Sequence, residues 1–353
     1  MLMIVIYHVV GHGIGIWSYQ GDMTGSYLMI SAFEITTVCG VNCYALISGY
    51  VGIFSKHNYS SIVTLWLQVL FYSVSISIVF RILYPEKVSS WDVLFSFFPI
   101  LSTQYWYFTS YFILFLFMPL LNYALNHSTK KQIGLFFALL LTFITVLAPI
   151  YNTVFGEDVF YLKGGFTAWW LIILYLLGGY IRKYNVLFTV KKWALLVVFF
   201  ISTAITYASK TVLQFVDMRL FGERRFTGVF GSYTSITVLV SAVALLLLFS
   251  RIRVSASFSK IIGFFAPLTF GIYLIHENQY MIPNLFGLIR KTSPTGITMT
   301  LLLIVGSTIA IYFCCTLIES MRFCLFKLLR IKKLLEKSER RLSVKLDKHF
   351  GQK

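Results

Sequence analysis

The sequence predicts an all-α polytopic membrane protein of about ten transmembrane helices, and three observations carry that prediction. Hydrophobic residues make up 58% of the 353-residue chain and charged residues only 12%, against the roughly 25% charged of a soluble domain. The apolar residues fall in continuous runs close to the ~20 residues that cross a bilayer as a helix. The runs do not alternate on a period of two, which argues against a transmembrane barrel. This composition excludes a disordered chain and a nucleic-acid-binding domain. The net charge of +17 is confined to connections and the C-terminal tail.

The runs occupy 1–17, 27–54, 60–83, 105–124, 132–151, 167–182, 192–208, 231–249, 262–279 and 297–317. The first lacks the basic start and small-residue cleavage site of a removable signal peptide, so it is expected to remain as a membrane helix. Lys and Arg are retained on the cytoplasmic side of short connections. The even-numbered connections carry Lys56, Lys130, Lys131, Arg182, Lys183, Lys191, Lys192, Arg251, Arg253 and Lys260 with no acidic residue. The odd-numbered ones mix basic residues with acidic ones from Asp22 to Glu277. Both termini are therefore expected in the cytoplasm of a bacterial cell, with the chain in its inner membrane. The seventh connection runs against the rule, because Lys210, Arg219, Arg224 and Arg225 would face outward.

No linker or internal repeat divides the chain. Residues 1–320 read as one integral membrane domain and 321–353 as a basic cytoplasmic tail. In that tail Leu328, Ile331, Leu335 and Leu342 fall near helical spacing among Lys327, Arg330, Lys333, Arg340 and Arg341. This is the pattern of an amphipathic helix on anionic lipid, although a solvated basic tail that enforces topology fits equally. Cys39, Cys43, Cys314, Cys315 and Cys324 form no CxxC pair and read as buried thiols rather than a disulfide framework or zinc site.

An ionisable side chain in hydrocarbon costs ~2.5–3.5 kcal/mol on insertion scales, so each one asks for a reason. The first run carries His8 and His12, the second Glu34 and Asn42, and the ninth His276 followed by Glu277. His8 and His12 are four residues apart and share a helix face. With the N-terminus inside, His12, Glu34 and His276 fall in the outer half, with His8 and Asn42 deeper, so that they can line one cavity. Helix bridging by polar side chains is the bland alternative for any single one. No HExxH motif or acidic cluster supports a metal site. Gly11, Gly13 and Gly15 follow no strand, which favours close helix packing over phosphate binding. A neutral imidazole suits removal of a hydroxyl proton near neutral pH, so the chemistry indicated is activation of an alcohol.

Four short motifs then occur in order. They are Ile4-Val5-Ile6-Tyr7-His8; Asn42 with Leu46-Ile47-Ser48-Gly49-Tyr50; Trp106-Tyr107 with Tyr111, Pro119 and Asn122; and Phe270-Gly271-Ile272-Tyr273-Leu274-Ile275-His276-Glu277. Together they resemble the acyltransferase-3 family of integral membrane proteins, which O-acylate cell-surface glycans and similar acceptors. The resemblance implies that His8 is the catalytic base, and His12, Glu34 and His276 are expected to orient or support it. Substrate contacts are expected from Asn42, Ser48, Tyr50, Trp106, Tyr107, Tyr111 and Tyr273. The implied partners are acetyl-CoA or another acyl-CoA as cytoplasmic donor, a polysaccharide or lipid-linked glycan as acceptor, and membrane lipid, with no metal and no nucleic acid. The family also carries an arginine N-terminal to that histidine, at a spacing that puts it upstream of Met1, so an in-frame extension encoding it is expected. A transporter, flippase or polymerase of polysaccharide precursors is the rival class, with a structural role in a polymer-assembly complex third. Inverted hydropathy halves or broken helices would favour transport.

Overall fold

The structure, a computed structural model, describes residues 1–19, 22–223, 226–292 and 296–350. Every one of the apolar runs is helical, and no strand occurs among the described residues. In chain order the helices are α1 (Leu2–His8), α2 (Gly25–Val38), α3 (Gly40–Gly52), α4 (Tyr59–Leu83), α5 (Ser90–Phe95), α6 (Trp106–His127), α7 (Lys130–Leu141) and α8 (Ala148–Phe155). The second half comprises α9 (Ala168–Tyr184), α10 (Lys192–Leu220), α11 (Ile236–Phe249), α12 (Ala256–Phe265), α13 (Thr269–His276), α14 (Gly287–Lys291), α15 (Ile297–Leu328) and α16 (Ile331–Phe350).

Seven helical stretches among the described residues are long and apolar enough to cross a membrane, namely Gly25–Gly52, Tyr59–Leu83, Trp106–His127, Lys130–Phe155, Lys192–Leu220, Ala256–His276 and Ile297–Leu328. The runs at 1–17, 167–182 and 231–249 give shorter helices. The 17 residues of α9 reach about 26 Å, just under the ~30 Å hydrocarbon core. These short helices are interior elements, with Val5, Val9, Trp170, Leu171, Leu174 and Leu247 fully buried. The long ones turn Leu, Ile and Phe outward, as at Ile82, Leu120, Phe200 and Leu302, which suits lipid as the surrounding solvent. Two of the thiols expected to be buried, Cys314 and Cys324, lie on that outer surface, and all the cysteines are free.

Local chemistry explains the breaks. Thr36 and Thr37 donate back to the carbonyls of Ala32 and Phe33 at 2.7 Å, and the α2–α3 break follows at Cys39, where such back-bonding competes with the helix ladder. Gly156, at φ +77°, ends α8 in the left-handed conformation that glycine adopts at least cost.

The centre of the bundle is the contact of α3 with α9. A Cβ on Gly49 would lie 1.8 Å from the Tyr175 carbonyl oxygen, and one on Gly178 2.1 Å from the Leu46 oxygen. Backbone meets backbone there, as small residues permit in membrane helices. Gly49→Ala is therefore expected to destabilise by at least ~1–3 kcal/mol, whereas Gly263→Ala, with nothing within 4 Å, is expected to be neutral. Thermal melts in detergent compare them, and equal melting of the two variants would contradict this packing.

A buried polar knot joins α4, α13 and α15. Glu319 pairs with Arg322 and accepts hydrogen bonds from Gln68 at 3.1 Å and Tyr72 at 2.6 Å. Its carboxylate sits where a Cβ on Gly271 would be, 2.0 Å away, which accounts for the glycine in the Phe270–Glu277 motif.

The tail is helical over Ile331–Phe350, after a turn in which Arg330 adopts φ +54°. Glu339 accepts hydrogen bonds from the backbone N–H groups of Tyr59 at 2.7 Å and Ser60 at 3.1 Å. The tail thus caps α4, whose first donors have no partner within the helix. The Ser60 hydrogen bonds hold the Glu339 carboxyl below its ordinary range. A depressed folded-state value gives a contribution that is present above the ordinary carboxylate range and lost as pH falls through the lowered one. Proteolysis of the tail is expected to quicken on acidification below that range in the wild type, and Glu339→Gln is expected to abolish the pH dependence. A tail equally protected at all pH values would refute the cap.

Candidate functional site

The site begins where α1 changes pitch. After His8 the chain makes a π-helical turn over Val9–Gly13, closed by the hydrogen bond from the Ile14 N–H to the Val9 oxygen at 2.9 Å. Wide turns of this kind recur at functional sites. Gly11 makes the turn possible by seating the Trp17 indole, 2.2 Å from where a Cβ would stand. Trp17 in turn packs edge-on against His12, ring centroids 4.8 Å apart. The Arg290 guanidinium donates to the His12 carbonyl at 2.7 Å and ties the turn to α14. The close helix packing expected of the glycine run is found at Gly13, where a Cβ would stand 3.1 Å from Ile289 of α14.

The opposing wall is the end of α13. The helix stops at His276, and Glu277 leaves helical geometry with φ −96° and ψ +9°. Asn278 anchors the departing chain by donating to the Tyr105 hydroxyl at 2.9 Å, which itself donates to the Leu274 carbonyl at 3.0 Å. His276 and Glu277 are thereby held facing the first helix.

The hydrogen bonds fix the proton positions. His276 Nδ1 lies 2.6 Å from the Ile272 carbonyl, which only accepts, so Nδ1 carries the proton and Nε2 of the neutral ring is an acceptor. His8 Nδ1, 2.9 Å from that Nε2, is then the donor. Glu277 Oε2 lies 3.0 Å from the same His8 nitrogen, within ion-pair range but off the N–H direction. It supplies charge rather than the hydrogen bond. His12 Nε2 lies 3.3 Å from Glu277 Oε1 and steadies the carboxylate. In the neutral His8 ring this leaves Nε2 with a lone pair, and that nitrogen makes no hydrogen bond among the described residues.

His8 lines a cavity of about 210 Å³ together with Tyr44, Ser48, Trp106, Tyr107 and Tyr273. That is room for an acyl thioester and little more, since drug-sized pockets start near ~300 Å³. Tyr273 has a buried hydroxyl with no hydrogen-bond partner among the described residues, a donor in the wall. From His8 the lining extends to Met1, to Ser48 in the second half of α3 and to Tyr111 in the second turn of α6.

The expected site residues divide. His8, His12 and His276 come together, and Ser48, Trp106, Tyr107, Tyr111 and Tyr273 line the histidine cavity. Glu34 does not join them, because it pairs with Lys210 of α10. Asn42 is fully buried and engaged at both amide atoms, donating to the Tyr233 carbonyl at 2.8 Å and accepting from the Trp170 indole at 3.0 Å. Tyr50 sits under the Arg182 guanidinium, 5.1 Å from its ring centroid, away from the cavity. The carboxylate beside the histidines is Glu277. Lys210, one of the residues expected to break the positive-inside rule, is neutralised by Glu34; Arg224 and Arg225 lie outside the described residues.

His8, His276 and Glu277 each offer an atom within 4.8 Å of the others. Both short distances, 2.9 and 3.0 Å, share His8 Nδ1, and they are hydrogen-bond lengths. Ligands around a tetrahedral metal at ~2.0–2.1 Å would stand farther apart, so the cluster as built fits proton relay better than metal ligation.

A family model described as an acyltransferase domain matches residues 1–319. No curated protein and no solved structure matches the chain.

Proposed function

The chain belongs to the acyltransferase-3 family and is a multi-pass membrane acyltransferase, and from that premise we propose that it moves an acyl group, most simply acetyl, from acyl-CoA to a hydroxyl of an extracytoplasmic or lipid-linked polysaccharide. The observation that carries this reading is the His8 ring, which lines a cavity with its Nδ1 engaged by His276 beside the Glu277 carboxylate and its Nε2 free of hydrogen bonds among the described residues.

The steps follow from that geometry. His8 Nε2 takes the proton of the acceptor hydroxyl as its oxygen attacks the thioester carbonyl carbon. Charge develops on the carbonyl oxygen, and the unpartnered Tyr273 hydroxyl is a donor placed to meet it. When the tetrahedral intermediate collapses, the C–S bond breaks and the thiolate sulfur takes the proton back from His8. Glu277 stays ionised throughout and stabilises the transient imidazolium by charge.

Donor and acceptor start on opposite sides of the bilayer. The cavity lining, which follows α3 and α6 from His8 to Ser48 and Tyr111, offers the pantetheine arm an apolar, aromatic path from the cytoplasmic side. Lys and Arg of the even connections there suit the CoA phosphates, and cytoplasmic termini place them correctly.

The test is radiolabelled acetyl-CoA given to membranes carrying the chain. Label is expected in base-labile esters on the surface polysaccharide, and none in membranes lacking the chain. Polymer that reaches the surface less efficiently but carries unchanged ester per sugar would instead support transport.

A further inference from the structure

On the outer side of the bundle, in the orientation proposed above, two hollows adjoin. A cleft of about 580 Å³ is lined by Asn152, Thr153, Asp158, Ser232 and Thr234. A second hollow of about 230 Å³ has Glu34 and Lys210 in its wall, and both include Gly228 and Ser232. The larger cleft is lined by several hydroxyl and amide side chains. The Glu34–Lys210 pair is buried, with 8% and 9% of each residue exposed, and Lys210 engages only one carboxylate oxygen. An ion pair there is costly to desolvate unless further polar groups meet it.

The strip that bounds this double cleft also bounds the histidine cavity. Ser232 lines the former and Tyr233 the latter. The strip is clamped by backbone, with the Tyr233 N–H donating to the Gly164 carbonyl at 3.1 Å and its own carbonyl accepting from Asn42. Tyr233 stacks on Trp106, planes 17° apart, and Phe166 packs on both with centroids 4.6 and 4.9 Å away. The aromatic cluster therefore stands behind Ser232, on the side of the strip where Trp106 and Tyr233 line the histidine cavity.

We propose that the double cleft is the acceptor subsite, which holds the neutral, polyhydroxylated sugar residues flanking the reacting hydroxyl. Glu34 accepts from and Lys210 donates to those hydroxyls, and the Ser232–Tyr233 strip, which borders both sites, sets the approach of the reacting hydroxyl to His8. Glu34 is then a substrate-binding residue rather than a partner of the histidines. The inference rests on the acyl-transfer reading given above.

Two variants test it on the full chain in nanodiscs, with acetyl-CoA and the cell's own surface polysaccharide de-esterified by mild base. Gly228→Trp fills the cleft from an exposed position with nothing within 4 Å of its Cβ. The double change Glu34→Gln with Lys210→Met removes the pair without stranding a charge. Both are expected to raise the polysaccharide KM at least about tenfold, with the acetyl-CoA KM and thermal melt unchanged. An unaltered polysaccharide KM in Gly228→Trp overturns the subsite while leaving the enzyme's function standing. A wild-type protein that acetylates no polysaccharide overturns the functional reading and the subsite with it.

Discussion

Replacing His8 with alanine is expected to lower kcat for acyl transfer by roughly 10²–10⁴-fold, the range a positioned general base supplies. The substitution leaves the helix intact and removes a ring whose only hydrogen bond is to His276. Protein abundance and thermal melting should therefore stay near wild type. The loss should appear in kcat rather than in the KM for acetyl-CoA, because His8 meets the donor only as the reaction proceeds. Transfer within tenfold of wild type, at normal abundance, would remove His8 from the mechanism.

Glu277→Gln is expected to cost on the order of 10²–10⁴ in kcat with little change in either KM. The amide has the shape of the carboxylate but no charge, so the imidazolium formed during transfer loses its counter-ion, and an amide N–H facing His8 Nδ1 favours the tautomer with the proton on Nε2. A glutamine at Glu34 provides the contrast. That residue touches Lys210 and not the histidines, so changing it together with Lys210 should move the acceptor KM instead. Initial-rate kinetics on the two variants separate the roles. A Glu277→Gln enzyme with wild-type kcat would show that the carboxylate is structural.

The class of fold and the nearness of His8 to His12 were legible in the sequence because both depend on composition and local spacing. Apolar runs with few charges report membrane helices directly, and two histidines four apart share a face whether the turn between them is α or π. The partner carboxylate was not legible in the same way. Glu34 and Glu277 are each the acidic residue in or beside an apolar run, and only tertiary packing decides which faces His8. Lys210 drew Glu34 away, and its position in the seventh connection gave no sign of that pairing. Asn42 and Tyr50 lie in a motif whose glycine, Gly49, serves backbone contact with α9. Their proximity to Ser48 in sequence did not carry them to the cavity, because on α3 only one face meets it. The shortness of the helices in the runs at 1–17, 167–182 and 231–249 was also hidden, since hydropathy counts apolar residues in a run and not where a positive-φ glycine such as Gly15 ends the helix.

The central claim is that a donor thioester reaches His8 Nε2. Bromoacetyl-CoA places an electrophilic carbon one atom from the thioester carbonyl, and peptide mass spectrometry locates any nitrogen it alkylates. The account predicts a carboxymethyl-type adduct on His8, formed with loss of bromide and suppressed by excess acetyl-CoA. An unmodified His8, in an enzyme that the reagent nevertheless inhibits competitively with acetyl-CoA, would contradict it.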